Sequence, residues 1–124
     1  VYFHMYSNGI KIFNNNILLG SGPQTYRYEC PKNYSDSCST HPHNFLIELL
    51  SDGGILSATI FITSLLSLVF FKIKKIKDEF LSSLIISYVI ILFFPLIPTG
   101  SFFSSFHMTL TWFSLGFLFS LKKI

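Results

Sequence analysis

The sequence predicts an all-α integral membrane protein: three transmembrane helices preceded by an outward-facing loop region with short interfacial helices. Three observations lead there. Half of the 124 residues are apolar and only 12% are charged, a balance that soluble domains of this length seldom show. The apolar residues fall in blocks at 54–71, 80–97 and 106–121 rather than along one stripe. Lysines then gather beside the blocks, at Lys72, Lys74, Lys75 and Lys77 and again at Lys122 and Lys123. Residues 1–53 form the loop region and residues 54–124 the transmembrane region. Fifteen phenylalanines and six tyrosines suit lipid and interfacial contact. The net charge of +3 sits beside apolar spans and not on a basic face with interleaved aromatics, which excludes a nucleic-acid-binding class.

In residues 1–13, Tyr2, Tyr6, Ile10 and Phe13 recur at helical spacing, with Asn8 and Lys11 off the stripe, which predicts an amphipathic interfacial helix. An ordinary surface helix is the competing reading. Asn14, Asn15 and Asn16 end it. The Gly20-Ser21-Gly22-Pro23 string that follows is a tight turn. Thr25 stands where a dinucleotide fingerprint needs its third glycine and Pro23 spoils the helix start, so a nucleotide site is excluded. The turn's N–H groups could face an anion, although a plain turn accounts for the residues equally.

Residues 24–40 are polar and read as a loop holding both cysteines, Cys30 and Cys38. On an oxidising face of a membrane, such a pair predicts a disulfide, worth roughly 2–3 kcal/mol for so short a loop on the chain-entropy model. A zinc site from Cys30, Cys38, His41 and His43 is the alternative, and its spacing fits no common pattern. Asn33-Tyr34-Ser35 matches a glycosylation triplet, a pattern that arises easily by chance.

His41-Pro42-His43-Asn44 comes next. Pro42 fixes its own φ and pushes His41 towards an extended backbone, so the chain is stiff where the imidazoles project. Asn44 reads as the N-cap of a short helix carrying Phe45, Leu46, Leu49 and Leu50, from which Glu48 and Asp52 would point to water. Gly53 and Gly54 then let the backbone turn into the first span. Residues 54–71 carry no charge and would reach about 27 Å as a helix, enough to cross hydrocarbon. Residues 80–97 are likewise uncharged, with Pro95 near their end, and the shorter run 106–121 closes on lysines able to snorkel.

Six of the nine basic residues, four between the first two spans and two after the third, share one side. The positive-inside rule makes that side cytoplasmic. Residues 1–53 and the turn at 98–105 then face outward, which is the periplasm in a Gram-negative cell. An outside start with three spans also predicts an odd number of spans upstream, in a larger membrane protein of which this is the C-terminal piece.

His43-Asn44, nine residues and then Gly54-Ile55-Leu56-Ser57 resemble the signature of the O-antigen ligase and O-antigen polymerase family. In these bacterial proteins a His-Asn pair in a large periplasmic loop precedes a glycine-led transmembrane helix. Gly20-Ser21-Gly22-Pro23 with Tyr26 is similar to the family's Gly-x-Gly-Pro segment. The string from Cys38 to Asn44 and the Pro98-Thr99-Gly100-Ser101-Phe102-Phe103 run resemble it too. Ser57 stands where the family more often has glycine.

The resemblance implies an inner-membrane glycosyltransferase of lipopolysaccharide or surface-polysaccharide biosynthesis. It would move glycan from an undecaprenyl-diphosphate carrier onto a sugar hydroxyl, the acceptor being lipid A-core or a growing chain. No cofactor or metal is implied. Histidine, with an ordinary pKa of about 6.5, supplies a neutral base at neutral pH, so His43 is the implied general base. A departing diphosphate asks for a guanidinium, and Arg27 is the one arginine in the chain, with a solvated loop residue as its other reading. Asn44 either orients the base or substrate or caps its helix. His41 shapes the loop beside the substrate, and His4 and His107 read as interfacial residues. The alternative class is a non-enzymatic scaffold or transporter fragment with a structural histidine loop. The spans hold no charges of the kind transport would use.

Overall fold

The computed structural model describes residues 2–34, 38–94 and 98–120. It is all-helical, with α1 (Tyr2–Asn15), α2 (Tyr26–Asn33), α3 (Phe45–Ile73), α4 (Glu79–Leu92) and α5 (Ser105–Ser120). Among the described residues α3 is the one helix long and apolar enough to cross a membrane.

Helix α1 forms where the tyrosine spacing predicts it, but it buries a different face. Met5, Asn8, Gly9 and Ile12 point inward, while Tyr2 and Ile10 of the predicted stripe are half exposed. Gly9 decides the face. A Cβ there would press on Ile47 of α3 and meet Pro42 at 3.4 Å, so only glycine lets the two helices approach this closely. The polar stretch read as a loop contains α2, whose first turn buries Tyr26 against α1. The Tyr26 hydroxyl donates to the Met5 carbonyl at 3.1 Å, and burial pushes its pKa up to about 12. Ile12, Tyr26 and Cys30 form a small core, joined by Tyr34 and Cys38.

Helix α3 begins where Asn44 Oδ1 accepts from the N–H groups of Leu46 and Ile47, both at 3.1 Å. The predicted short helix and first span are two limbs of this one element, broken at Gly54 (φ 68°, ψ −175°). Helix α4 is capped by Asp78, which accepts from Phe80 N at 2.8 Å. It ends at Leu92, about 21 Å long, and not at residue 97 as the apolar run suggests. A proline at 95 disfavours helical backbone in the residue before it, which accounts for the early end. Residues 95–97, the glycosylation serine Ser35 and the terminal lysines lie outside the described residues.

Helices α3 and α5 run the same way. Lys72 near the end of α3 donates to the Phe119 carbonyl near the end of α5, and Phe61 packs edge-on to Trp112 at 6.1 Å. Tyr88 of the returning α4 pairs with Ser114 of α5. The 98–104 segment is thereby brought back to the end that holds α1, α2 and the first limb of α3. Phe45, Phe61, Phe93 and Phe102 knit that end together with ring centroids 5.3–6.3 Å apart. Elsewhere α3, α4 and α5 present large apolar side chains outward, Phe113 being 74% exposed.

Candidate functional site

A helix broken in its middle leaves N–H and C=O groups without intrahelical partners, and near hydrocarbon these are costly. Residues 17–22 supply the partners. Ile55 N and Leu56 N donate to the carbonyls of Ile17 and Leu18 at 2.8 and 3.3 Å. On the other side of the break, the carbonyls of Ser51 and Asp52 accept from Ser21 N and Gly22 N at 2.9 and 2.8 Å. Two N–H groups of the Gly-x-Gly-Pro turn, those of Ser21 and Gly22, therefore serve the broken helix. Just after the turn, Gln24 N donates to Asp52 Oδ2 at 2.6 Å.

Glu48 and Asp52 do not point to water. They are 2% and 1% exposed and lie on one face of the first limb, one helical turn apart. Each clamps an incoming segment. Asp52 holds the turn at Gln24. Glu48 accepts from Ser101 Oγ at 2.5 Å and from Phe102 N at 2.6 Å, fixing the 98–104 segment. Burial pushes the pKa of both carboxyls up, that of Asp52 to about 6, and the hydrogen bonds from the clamped segments offset part of that cost.

The histidines sit beside the 98–104 segment. His43 has a left-handed backbone (φ 54°), an unusual state for a non-glycine residue that recurs at functional sites. Its carbonyl accepts from Thr99 N at 2.9 Å, so the 98–104 segment is bonded to it directly. Its ring lies 4.1 Å from that of His41 and edge-on to Tyr2 at 5.6 Å. His41 is half buried, with Nδ1 3.0 Å from Thr40 Oγ1. Burial first, then the neighbouring His43, hold its pKa below the ordinary histidine value, and the charges of His107 and Arg27 act in the same direction. His41 therefore gives up its proton more readily than an ordinary histidine. His107, read from the sequence as merely interfacial, lies over Gly100 and faces a cavity of about 320 Å³ shared with Phe45, Phe93, Thr99 and Phe102.

Arg27 is exposed on α2 and donates to Gln24 Oε1 at 2.6 Å. Asn44 is buried and its Oδ1 is engaged in capping α3. Cys30 and Cys38 are bonded to each other, which leaves no thiolate for the zinc alternative. The bridge ties α2 to the strand of chain that leads into His41. Replacing both cysteines by serine is expected to lower stability by about 2–3 kcal/mol, and a melting curve in detergent under oxidising conditions measures it. A double serine variant that melts with the parent protein would remove the bridge from the stability account.

Sequence reasoning missed Glu48, Asp52, Gln24 and His107. The available signal was two acids one helical turn apart on a limb otherwise lined by Phe45, Leu46, Leu49 and Leu50.

A long apolar helix, a limb with two buried acids broken from it at a glycine and a histidine pair at the start of that limb define an all-helical protein with one candidate membrane span among the described residues. Residues 2–62, just under half of the chain, match the family model for O-antigen ligase, so over this segment the chain is similar to that family. The match includes Arg27, His41, His43 and Asn44 and runs past the break at Gly54. Enzymes of that family are inner-membrane proteins of glycosyltransferase type that work on lipid-linked glycan. No curated protein and no solved structure gives a match.

Proposed function

We propose that the protein transfers or polymerises glycan from an undecaprenyl-diphosphate carrier onto a sugar hydroxyl at the periplasmic face. The acceptor is lipid A-core or the growing chain. In this reading residues 1–53 are periplasmic and residues 54–124 hold three spans, built on α3 after its break, α4 and α5. Lys72, Lys74, Lys75, Lys77 and the C-terminus lie on the cytoplasmic side.

His43 is the general base. It takes the acceptor hydroxyl proton as that oxygen bonds to the anomeric carbon, and the anomeric C–O bond to the diphosphate breaks. Arg27 meets the charge that gathers on the departing lipid diphosphate, His41 and Asn44 border the substrate, and no metal enters. The observation that carries the reading is the placing of His43. A strained imidazole-bearing residue is bonded to the 98–104 segment, beside a second, half-buried imidazole, within the segment that matches the family.

Positioned general bases contribute roughly 10²–10⁴-fold to rate. His43→Ala is expected to lower glycan transfer by that factor in membranes of a strain lacking its own enzyme, with accumulation of the protein unchanged. Transfer at the parental rate would end the assignment of His43 as the base.

A further inference from the structure

The geometry points to Gln24 as a positioning residue that holds Arg27 for the lipid diphosphate, an inference that rests on the proposed role of Arg27. Gln24 joins three parts of the molecule. Its N–H donates to Asp52 Oδ2 at 2.6 Å, its Nε2 donates to the Phe103 carbonyl at 3.1 Å, and its Oε1 accepts from Arg27 Nη2 at 2.6 Å. It also has a positive φ of 60°, one of two such non-glycine residues among those described, the other being His43.

The side-chain amide can face one way only. Turned over, its NH₂ would meet the guanidinium and its oxygen would meet a carbonyl, two repulsive contacts in place of two bonds. Arg27 is otherwise an exposed, flexible side chain on a short helix, its guanidinium 6.0 Å from the Tyr28 ring. The amide fixes one edge of the guanidinium and leaves its remaining N–H donors for a ligand. Asp52 reaches Arg27 through this residue without neutralising it, because the carboxylate bonds the Gln24 backbone and not the guanidinium. A carboxylate in direct contact would cancel the charge that an anionic leaving group needs.

The test uses the whole protein in membranes, with lipid-diphosphate-linked glycan as donor and inorganic pyrophosphate as competitor. Arg27→Ala is expected to raise the donor KM about tenfold or more and to weaken pyrophosphate inhibition in step. Gln24→Ala is expected to raise the donor KM about 3–10-fold with kcat nearly kept, and to add nothing in the Arg27→Ala background, since coupled residues are not additive. Gln24→Glu is expected to hold Arg27 as an ion pair and still raise the KM, because the guanidinium is then neutralised and the bond to the Phe103 carbonyl is lost.

A Gln24→Ala effect that appears in kcat, or that adds in full to that of Arg27→Ala, would show that Gln24 acts only by bracing the 98–104 segment, and the inference fails. An unchanged donor KM in Arg27→Ala overturns the diphosphate role of Arg27 and this inference with it. A raised KM in Arg27→Ala alone leaves that role standing and removes Gln24.

Discussion

Gly54→Ala is expected to lose the folded protein, through a destabilisation of about 3–5 kcal/mol. The wild-type backbone there has φ 68° and ψ −175°, a region that only glycine occupies at low cost, and forcing an L-residue into it costs about 1–3 kcal/mol. Sterics add to this. A Cβ on Gly54 would press on the Leu18 carbonyl, with its carbon at 2.5 Å and Gly20 N at 2.6 Å. Those atoms belong to the segment that satisfies the broken helix, so they cannot retreat without giving up the bonds from Ile55 N and Leu56 N. Alanine is also the best helix former, and it favours straightening α3 through the break. That would swing Glu48 and Asp52 away from the segments they clamp. Gly20→Ala attacks the same interface from its other face, since its Cβ would lie 2.5 Å from Asp52 C and O and its φ is 66°. The two variants should therefore fail alike. Gly116→Ala on α5 is the control, because a Cβ there meets nothing within 4 Å. Fluorescence-detected size exclusion with a thermal ramp measures all three. A Gly54→Ala protein that is monodisperse and melts with the parent would show that the break is not held as described.

Much of this arrangement was legible in the sequence, for reasons that can be stated residue by residue. Helix α1, the apolar block of α3 and the cap at Asn44 follow from spacing and side-chain chemistry that act locally. The His-Asn element could be read because its spacing to Gly54 resembles a family pattern. The buried face of α1 could not, because it is set by what Gly9 touches, and Ile47 and Pro42 are far away in the chain. Glu48 and Asp52 were misread for the same reason. On a helix considered alone an acid belongs in water, and only the arrival of Ser101, Phe102 and Gln24 makes burial tolerable. Helix α2 was missed because it is polar throughout, contains Pro31 and has almost no amphipathic signal of its own. Its order comes from Tyr26 packing on α1 and from the bridge at Cys30.

Glu48→Ala is the variant expected to separate activity from stability most widely. Two charge-assisted bonds are lost, each worth about 1.5–3 kcal/mol where the group is buried. The desolvation cost of a carboxyl at 2% exposure disappears with them, however, and offsets part of that loss. The net loss of stability should therefore be only about 1–3 kcal/mol, the cost of the donors left without an acceptor. Position is another matter. Ser101 Oγ and Phe102 N lose the anchor that holds the 98–104 segment, and Thr99 N in that segment is the bond to the His43 carbonyl. A misplacement of about 1 Å at a reacting group costs on the order of 10²-fold in rate. The expected outcome is a protein that still folds, exchanges the Phe102 amide proton far faster and transfers glycan about 10²-fold more slowly. Glu48→Gln retains one acceptor oxygen and should fall between the two, since its NH₂ cannot accept from the second donor. Hydrogen exchange across 98–104, measured with the transfer rate on the same preparations, tests the link. Fast exchange with undiminished transfer would mean that the segment does not position His43, and slow exchange in Glu48→Ala would mean that the aromatic packing around Phe102 holds it without the carboxylate.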